Sequence, residues 1–290
     1  MNWGSLRAQD PSRQHVVGEP SEIRAGPVQG VIDVGNDARQ GMALVTGGAR
    51  RIGAALVRAL ARLGYPVAIH HMRSGNAASS LVREIAAGGG VARAFSADLR
   101  SGEAAQQLLR TATQQLGPCT ILVNNASHFA HDTLLTGTRT SWDDHLELNL
   151  RAPLVLSRVF ADLLPASTSG LIVNLLDPRV WTVTPHYLSY SVSRAGLWAA
   201  TRILALELAP RIRVNAIGPG PTLSSESEGE AGFRATRNRL PLSPGPSPED
   251  ISDALVYLVS AKSVTGQMIA PDGGQHLGWL HPAPDEPIRG

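Results

Sequence analysis

Residues 42–64 read MALVTGGARRIGAALVRALARLG. A short apolar run ends in a glycine turn. Apolar residues at helical spacing follow at once and stop at Gly64. The run is too short for a helix and too apolar for a solvated strand, so it predicts a buried strand feeding a helix through a tight turn. The same unit recurs down the chain. YPVAIHHM, VARAFSADL, CTILVNNAS, GLIVNLLD, IRVNAIGPG and GQMIAPDGG read as strands, and helical patterns lie between them. SWDDHLELNLRAPLVLSRVFADLL reads as one long helix and YSVSRAGLWAATRILALELA as another. Apolar strands alternating with helices predict an α/β fold: a doubly wound parallel sheet covered on both faces, in a single domain.

The rest of the chain is organised around that block. Residues 1–41 are rich in Gly, Pro and charge and show no sustained period, so a disordered or weakly attached extension is expected there. Met42 is a candidate natural start, which N-terminal peptide mapping would test. The alternating block spans 42–277, and 278–290 read as a tail. A polar insert at about 221–248 leaves the carboxyl end of the penultimate strand. Open α/β sheets bind ligands at such ends, so the insert reads as a substrate lid.

Composition excludes several classes. Net charge is +2 without a basic block, which argues against nucleic acid. No apolar run is long enough for a membrane span, and no secretory signal pattern stands at the N-terminus. The single cysteine, Cys119, excludes an internal disulfide and fits a cytoplasmic, reducing location; a buried, non-catalytic thiol is expected. His128 and His131 lack further ligands at metal spacing, so no metal site is read.

The turn TGGARRIG, residues 46–53, fits a pyrophosphate. Gly47 and Gly53 let the backbone turn tightly and let the helix start close to the sheet. The N–H groups around Arg50, Arg51 and Ile52 and the helix dipole then face the anion. The second strand ends HHMRSGN with no acidic residue to hold ribose hydroxyls. Arg51, Arg73 and Ser74, with His71 beside them, suit the extra phosphate of NADP instead. His70 reads as structural. Asp98 and Leu99 end the third strand, where Asp98 faces either the adenine amine or a helix N-cap. Asn125, Ala126, Ser127, Pro219 and Gly220 close the remaining strand ends around the cofactor.

In order along residues 42–277, TGGARRIG, ADL, NNAS, Asn149 of LNLRAP, Tyr190 with a cation at 194, IRVNAIGPG and PDGG resemble the short-chain dehydrogenase/reductase family. Three features are most similar to its pteridine reductase (dihydropteridine/dihydromonapterin-type) group: the basic HHMRS, the NNASHF segment, and aspartate at 177 where most of the family has serine. The resemblance implies an NADPH-dependent reductase of a pterin or dihydrofolate-like substrate, acting as a homotetramer. It implies Ser127 and Phe129 lining the substrate, and Asp177, Tyr190, residue 194 and Asn149 in the catalytic set, Asn149 bridging to residue 194 through water.

The chemistry is legible without the family. A phenol with a pKa of about 10 is a poor acid–base group at neutral pH. A cation one helical turn away, Arg194, is expected to lower it. The family uses lysine there. Only one of the 26 basic residues is lysine, Lys262, so residue 194 partly reflects composition. Arginine keeps the charge but changes the donor geometry and cannot relay a proton. The expectation is a slower, working reductase in which Asp177 supplies part of the proton path and Arg194→Lys raises turnover. The alternatives are a reductase of another carbonyl substrate and an NADP-binding protein without catalysis.

Overall fold

In the computed structural model, residues 41–224 and 229–278 are described; the expected extension, 1–41, apart from Gly41, the expected tail, 278–290, apart from Gly278, and residues 225–228 of the insert lie outside them. Seven strands form one sheet: β1 (Met42–Val45), β2 (Val67–His71), β3 (Ala92–Ser96), β4 (Cys119–Asn124), β5 (Gly170–Leu175), β6 (Ile212–Ile217) and β7 (Met268–Ile269). Their order is β3-β2-β1-β4-β5-β6-β7, and every neighbouring pair is parallel. The strand order reverses direction between β1 and β4. That reversal opens a crevice at the carboxyl ends of the strands, where this architecture takes ligands.

Eight α-helices complete the described chain: α1 (Arg51–Arg62), α2 (Gly75–Ala87), α3 (Gly102–Leu116), α4 (Arg139–Leu146), α5 (Ala152–Leu163), α6 (Leu188–Glu207), α7 (Gly229–Asn238) and α8 (Pro248–Ser260). The alternation of β1 divides the core in two. Ala43 and Val45 pack with Leu56, Leu60, Leu255 and Leu258 of α1 and α8 on one face. Met42 and Leu44 pack with Leu109, Leu156 and Phe160 of α3 and α5 on the other. A strand projects successive side chains to opposite faces, so four apolar residues in a row feed both layers.

Three elements differ from the sequence reading. The long helix is broken: a π turn at Glu147–Arg151 separates α4 from α5, with Pro153 in the first turn of α5. Proline has no N–H to donate and its ring crowds the carbonyl four residues back, at Asn149, so the regular ladder slips there. β3 is an edge strand with exposed positions, not a doubly buried one. The insert contains a helix, α7, anchored by one buried aromatic, Phe233, among otherwise polar residues. No described helix is long and apolar enough to cross a membrane.

Candidate active site

A cleft of about 690 Å³ opens at the carboxyl ends of the strands. Its floor is the turn after β1. Gly47 has a φ of 60°, the left-handed region that glycine tolerates, and a Cβ on Gly53 would sit 2.2 Å from the Gly47 carbonyl oxygen. Asn125 braces this turn, its Nδ2 donating to Thr46 O at 2.8 Å and Gly47 O at 3.1 Å. Thr46 Oγ1 accepts from the Asn125 and Ala126 amides at 2.9 and 3.0 Å. Asn124 instead pairs with Asn174 across β4 and β5.

His70 is part of this floor. Its Nδ1 accepts the Gly47 N–H at 3.0 Å, and its Nε2 lies 3.1 Å from Ala97 O. One nitrogen must accept and the other donate, which fixes a neutral ring. Burial lowers its pKa to about 4. His70 therefore ties the turn after β1 to the end of β3. His71 lines the cleft, with Nδ1 buried and unpartnered.

Arg51, Arg73 and Ser74 line the same cleft, as expected, together with Arg50. Arg50, Arg73 and Ser74 line a side cavity together with the start of α2. Arg51, at a φ of 55°, donates to the carbonyls of Ser224 at 3.0 Å and Leu223 at 3.2 Å. Its guanidinium thus joins the phosphate turn to the insert, which the sequence did not foretell. Asp98 lines the cleft beside the buried Leu99, yet its carboxylate is held by Arg100 at 2.7 Å, which keeps it below the usual range. The cap of α3 is Ser101, so Asp98 is not an N-cap.

Elsewhere in the cleft, Tyr190 Oη donates to Asp177 Oδ2 at 3.0 Å. Asp177 Oδ1 accepts the Arg179 N–H at 2.8 Å, capping a short 3-10 turn at Pro178–Val180, and Oδ2 accepts Arg179 Nη1 at 2.8 Å. Asp177 is therefore a turn residue and a partner of the tyrosine at once. Arg179 was missed because only proximity to Asp177 in DPR hints at it. Phe129 stacks on Tyr187 with centroids 4.6 Å apart and meets Tyr190 edge-on at 4.8 Å.

Arg194 does lower the phenol, as expected, but other causes outweigh it. The tyrosine is pushed up to about 12, first by burial and then by the Asp177 charge, and Arg194 and Arg179 offset only part of this. The guanidinium, 5.3 Å from the Tyr190 ring, is buried and donates from Nη1 to Leu175 O at 3.0 Å. Asn149 does not line the cleft. Its amide bonds the backbone of His128 in both directions, at 2.8 and 2.9 Å, and donates to Ser193 Oγ at 3.2 Å. The side-chain amide thus braces the His128 backbone and Ser193.

The other expected residues, including Ile52, Ala126, Ser127, Pro219 and Gly220, line the one cleft. Thr222, Leu223 and Thr236 bring the insert to its edge, and Gln275 brings the turn after β7. Gly220 is obligatory there, because a Cβ would lie 2.6 Å from Asp272 Cα. Cys119 is buried, with its thiol pushed up to about 12 by burial, so it is inert. Among the described residues, no cluster of three or more His, Cys, Asp or Glu side chains fits a metal ion.

The family profile described as Enoyl-(Acyl carrier protein) reductase matches residues 47–276. A 3-oxoacyl-[acyl-carrier-protein] reductase of Synechocystis sp. is 32% identical over 80% of this chain and 96% of its own. One from Staphylococcus epidermidis is 30% identical over 81% of this chain and 98% of its own. Among solved structures, the FolM alternative dihydrofolate reductase 1 from Brucella canis, complexed with NADP, superposes with a TM-score of 0.81. It is 43% identical and covers 87% of this chain and 99% of its own. A blue fluorescent protein from a metagenomic library, in complex with NADPH, gives 0.76 at 33% identity, covering 82% of this chain and 98% of its own.

Proposed function

The chain belongs to the short-chain dehydrogenase/reductase family and uses NADP(H), and from that premise we propose that it reduces a pterin or a dihydrofolate-like substrate. One observation carries the substrate reading: the hydrogen bond between Tyr190 and Asp177, with Phe129 edge-on to the same ring. A carboxylate beside the phenol suits a ring bearing N–H donors, and an aromatic face suits a flat one. The 43% identity to the Brucella canis protein supports the same substrate class.

The residues present fit the cofactor. Glycine at 47 and 53 lets the turn close on itself and on Asn125, where a Cβ would collide, and Arg50, Arg73 and Ser74 form a cationic cavity beside it. Those groups would hold the pyrophosphate and the additional phosphate. When bound, reduced nicotinamide supplies the hydride. Tyr190 then supplies the proton: at neutral pH a phenol with a pKa of about 12 is fully protonated. As the proton leaves, the charges of Arg194 and Arg179 stabilise the phenolate. Asp177, partly open to the cleft, passes a solvent proton back to Tyr190. Arginine at 194 cannot carry that proton, and Asp177 touches the phenol, so this reading takes the path through Asp177.

NADPH oxidation by the purified protein with dihydrobiopterin and with dihydrofolate tests this reading, with Tyr190→Phe as control. Turnover that disappears in the variant supports it. A second reading, reduction of a 3-oxoacyl thioester, is favoured by the Synechocystis and Staphylococcus relatives. Turnover of acetoacetyl-CoA without turnover of either pterin would select it. NADPH binding without turnover of any of these would point to a non-catalytic NADP-binding protein. A homotetramer in the cytoplasm belongs to the same proposal. Val192, Ile203 and Leu206 of α6 are exposed apolar residues that suit packing on a second copy, and light scattering checks the mass.

A further inference from the structure

The helix that carries Tyr190 begins in an unusual way. Tyr187 occupies the N-cap position of α6 at a φ of 60° and offers no side-chain cap. Serine, threonine, aspartate, asparagine or glycine is preferred there, and a non-glycine residue in the left-handed region is strained. The missing cap arrives from another element. Asp132, buried in the loop after β4, accepts the Ser189 N–H through Oδ1 at 3.1 Å and the Ser189 hydroxyl through Oδ2. Its backbone carbonyl accepts the Leu188 N–H at 3.2 Å. A carboxylate at a helix N-terminus also meets the positive end of the helix dipole.

Asp132 is also the end of a directed chain. The Ala130 N–H donates to His145 Nε2 at 3.2 Å. His145 Nδ1 therefore bears the proton and faces Ser141 O at 2.8 Å and Ser189 Oγ at 2.7 Å. The Ser189 hydroxyl, left as donor, points to Asp132, and Ser141 Oγ donates to the same carboxylate at 3.0 Å. Every link runs in one direction, and only an acceptor-only group can terminate it. The first link, Ala130, is adjacent to Phe129; the last, Ser189, is adjacent to Tyr190.

We infer that Asp132 is a positioning residue that fixes the Phe129 loop against the start of the Tyr190 helix, setting the distance between the aromatic wall and the proton donor. This rests on the reading of the cleft as a reductase site. Burial alone would raise the Asp132 carboxyl, but the hydrogen bonds from Ser189 and Ser141 outweigh it and keep the group ionised. Asparagine is the informative replacement. It keeps an acceptor for the Ser189 N–H and turns the second oxygen into a donor, which confronts the Ser189 hydroxyl and reverses the chain.

The experiment uses full-length protein labelled with 4-fluorophenylalanine, the Phe129 resonance being assigned through Phe129→Leu. Asp132→Asn should shift or broaden the Phe129 fluorine signal, raise KM for the reducible substrate by about tenfold and leave the NADPH Kd within about twofold. Asp132→Glu, which retains an acceptor-only end, should recover part of the KM. An unchanged Phe129 signal and KM in Asp132→Asn overturn the inference. So does a rise in NADPH Kd that parallels the rise in KM, because that marks general loosening. The fluorine signal and NADPH affinity need no substrate. A wild-type protein inert toward pterins therefore sinks the substrate reading while these two readouts still decide the role of Asp132.

Discussion

Tyr190 and Asp177 are thirteen residues apart in the chain and 3.0 Å apart in space, the phenol donating to Oδ2. β5 and α6 converge on the cleft, and the turn after β5 brings the carboxylate to the first turn of the helix. The Asp177 charge opposes ionisation of the phenol and so raises its pKa.

Asp177→Asn therefore has two expected effects. Removing that charge moves the Tyr190 pKa down from about 12, so the alkaline limb of the kcat profile shifts to lower pH. Removing the carboxylate also closes the return path of the proton, and turnover at neutral pH falls by about 10²-fold. A pH–rate series on both proteins checks this. An alkaline limb in the same place would show that Asp177 does not act on Tyr190.

His70 predicts an acid sensitivity. Its folded pKa of about 4 lies below the ordinary 6.5, so the folded state prefers the neutral ring. Between those values the unfolded chain binds the proton and the folded chain does not. The stability this contributes is present above pH 6.5 and is lost as pH falls toward 4, by about 3 kcal/mol when complete. His70→Asn, which can still accept from Gly47 but cannot reach Ala97, should flatten that part of the stability curve and weaken NADPH binding. Denaturant melts from pH 7 to pH 4 measure the slope.

Much of this site was legible because strand ends carry it. The turn at 46–53, the strand ends at 98, 125 and 177, and Tyr190 sit at places fixed by alternation of element types, and they line one cleft. What escaped was set by side-chain reach and hydrogen-bond direction. Arg51 and Arg50 are neighbours, and only the left-handed backbone at Arg51 sends its guanidinium to the insert while Arg50 stays beside Arg73. Asn149 lies in the π turn and its side chain meets the His128 backbone, contacts that spacing alone does not show. The net effect of Arg194 also depended on burial, because charge spacing alone omits the desolvation that raises the tyrosine.

The separate roles of the three arginines are testable. Arg73→Ala and Arg50→Ala should each reduce the preference for NADPH over NADH by about tenfold or more, since each removes a cation from the cavity beside α2. Arg51→Ala should leave that preference near wild type and instead release the insert at Leu223 and Ser224. Faster proteolysis within 221–248 and a higher KM for substrate are the expected signs. Loss of NADPH preference in Arg51→Ala would return this side chain to the phosphate.

Arg194→Lys separates charge from geometry. Lysine keeps the positive charge that offsets the Tyr190 shift, but it lacks the fork that reaches Leu175 O from a buried position. The melting temperature should therefore fall, as expected when a hydrogen bond from a charged group, worth about 1.5–3 kcal/mol, is lost. Turnover should equal or exceed wild type, because the compact ammonium retains the electrostatic role and can exchange a proton. Arg194→Met loses the charge as well and should drop kcat by about 10²-fold at similar stability to the lysine variant. Thermal melts and kcat for the three proteins decide the matter. A lysine variant that keeps its stability and loses turnover would mean that the guanidinium itself, with its fixed donors, is what the reaction requires.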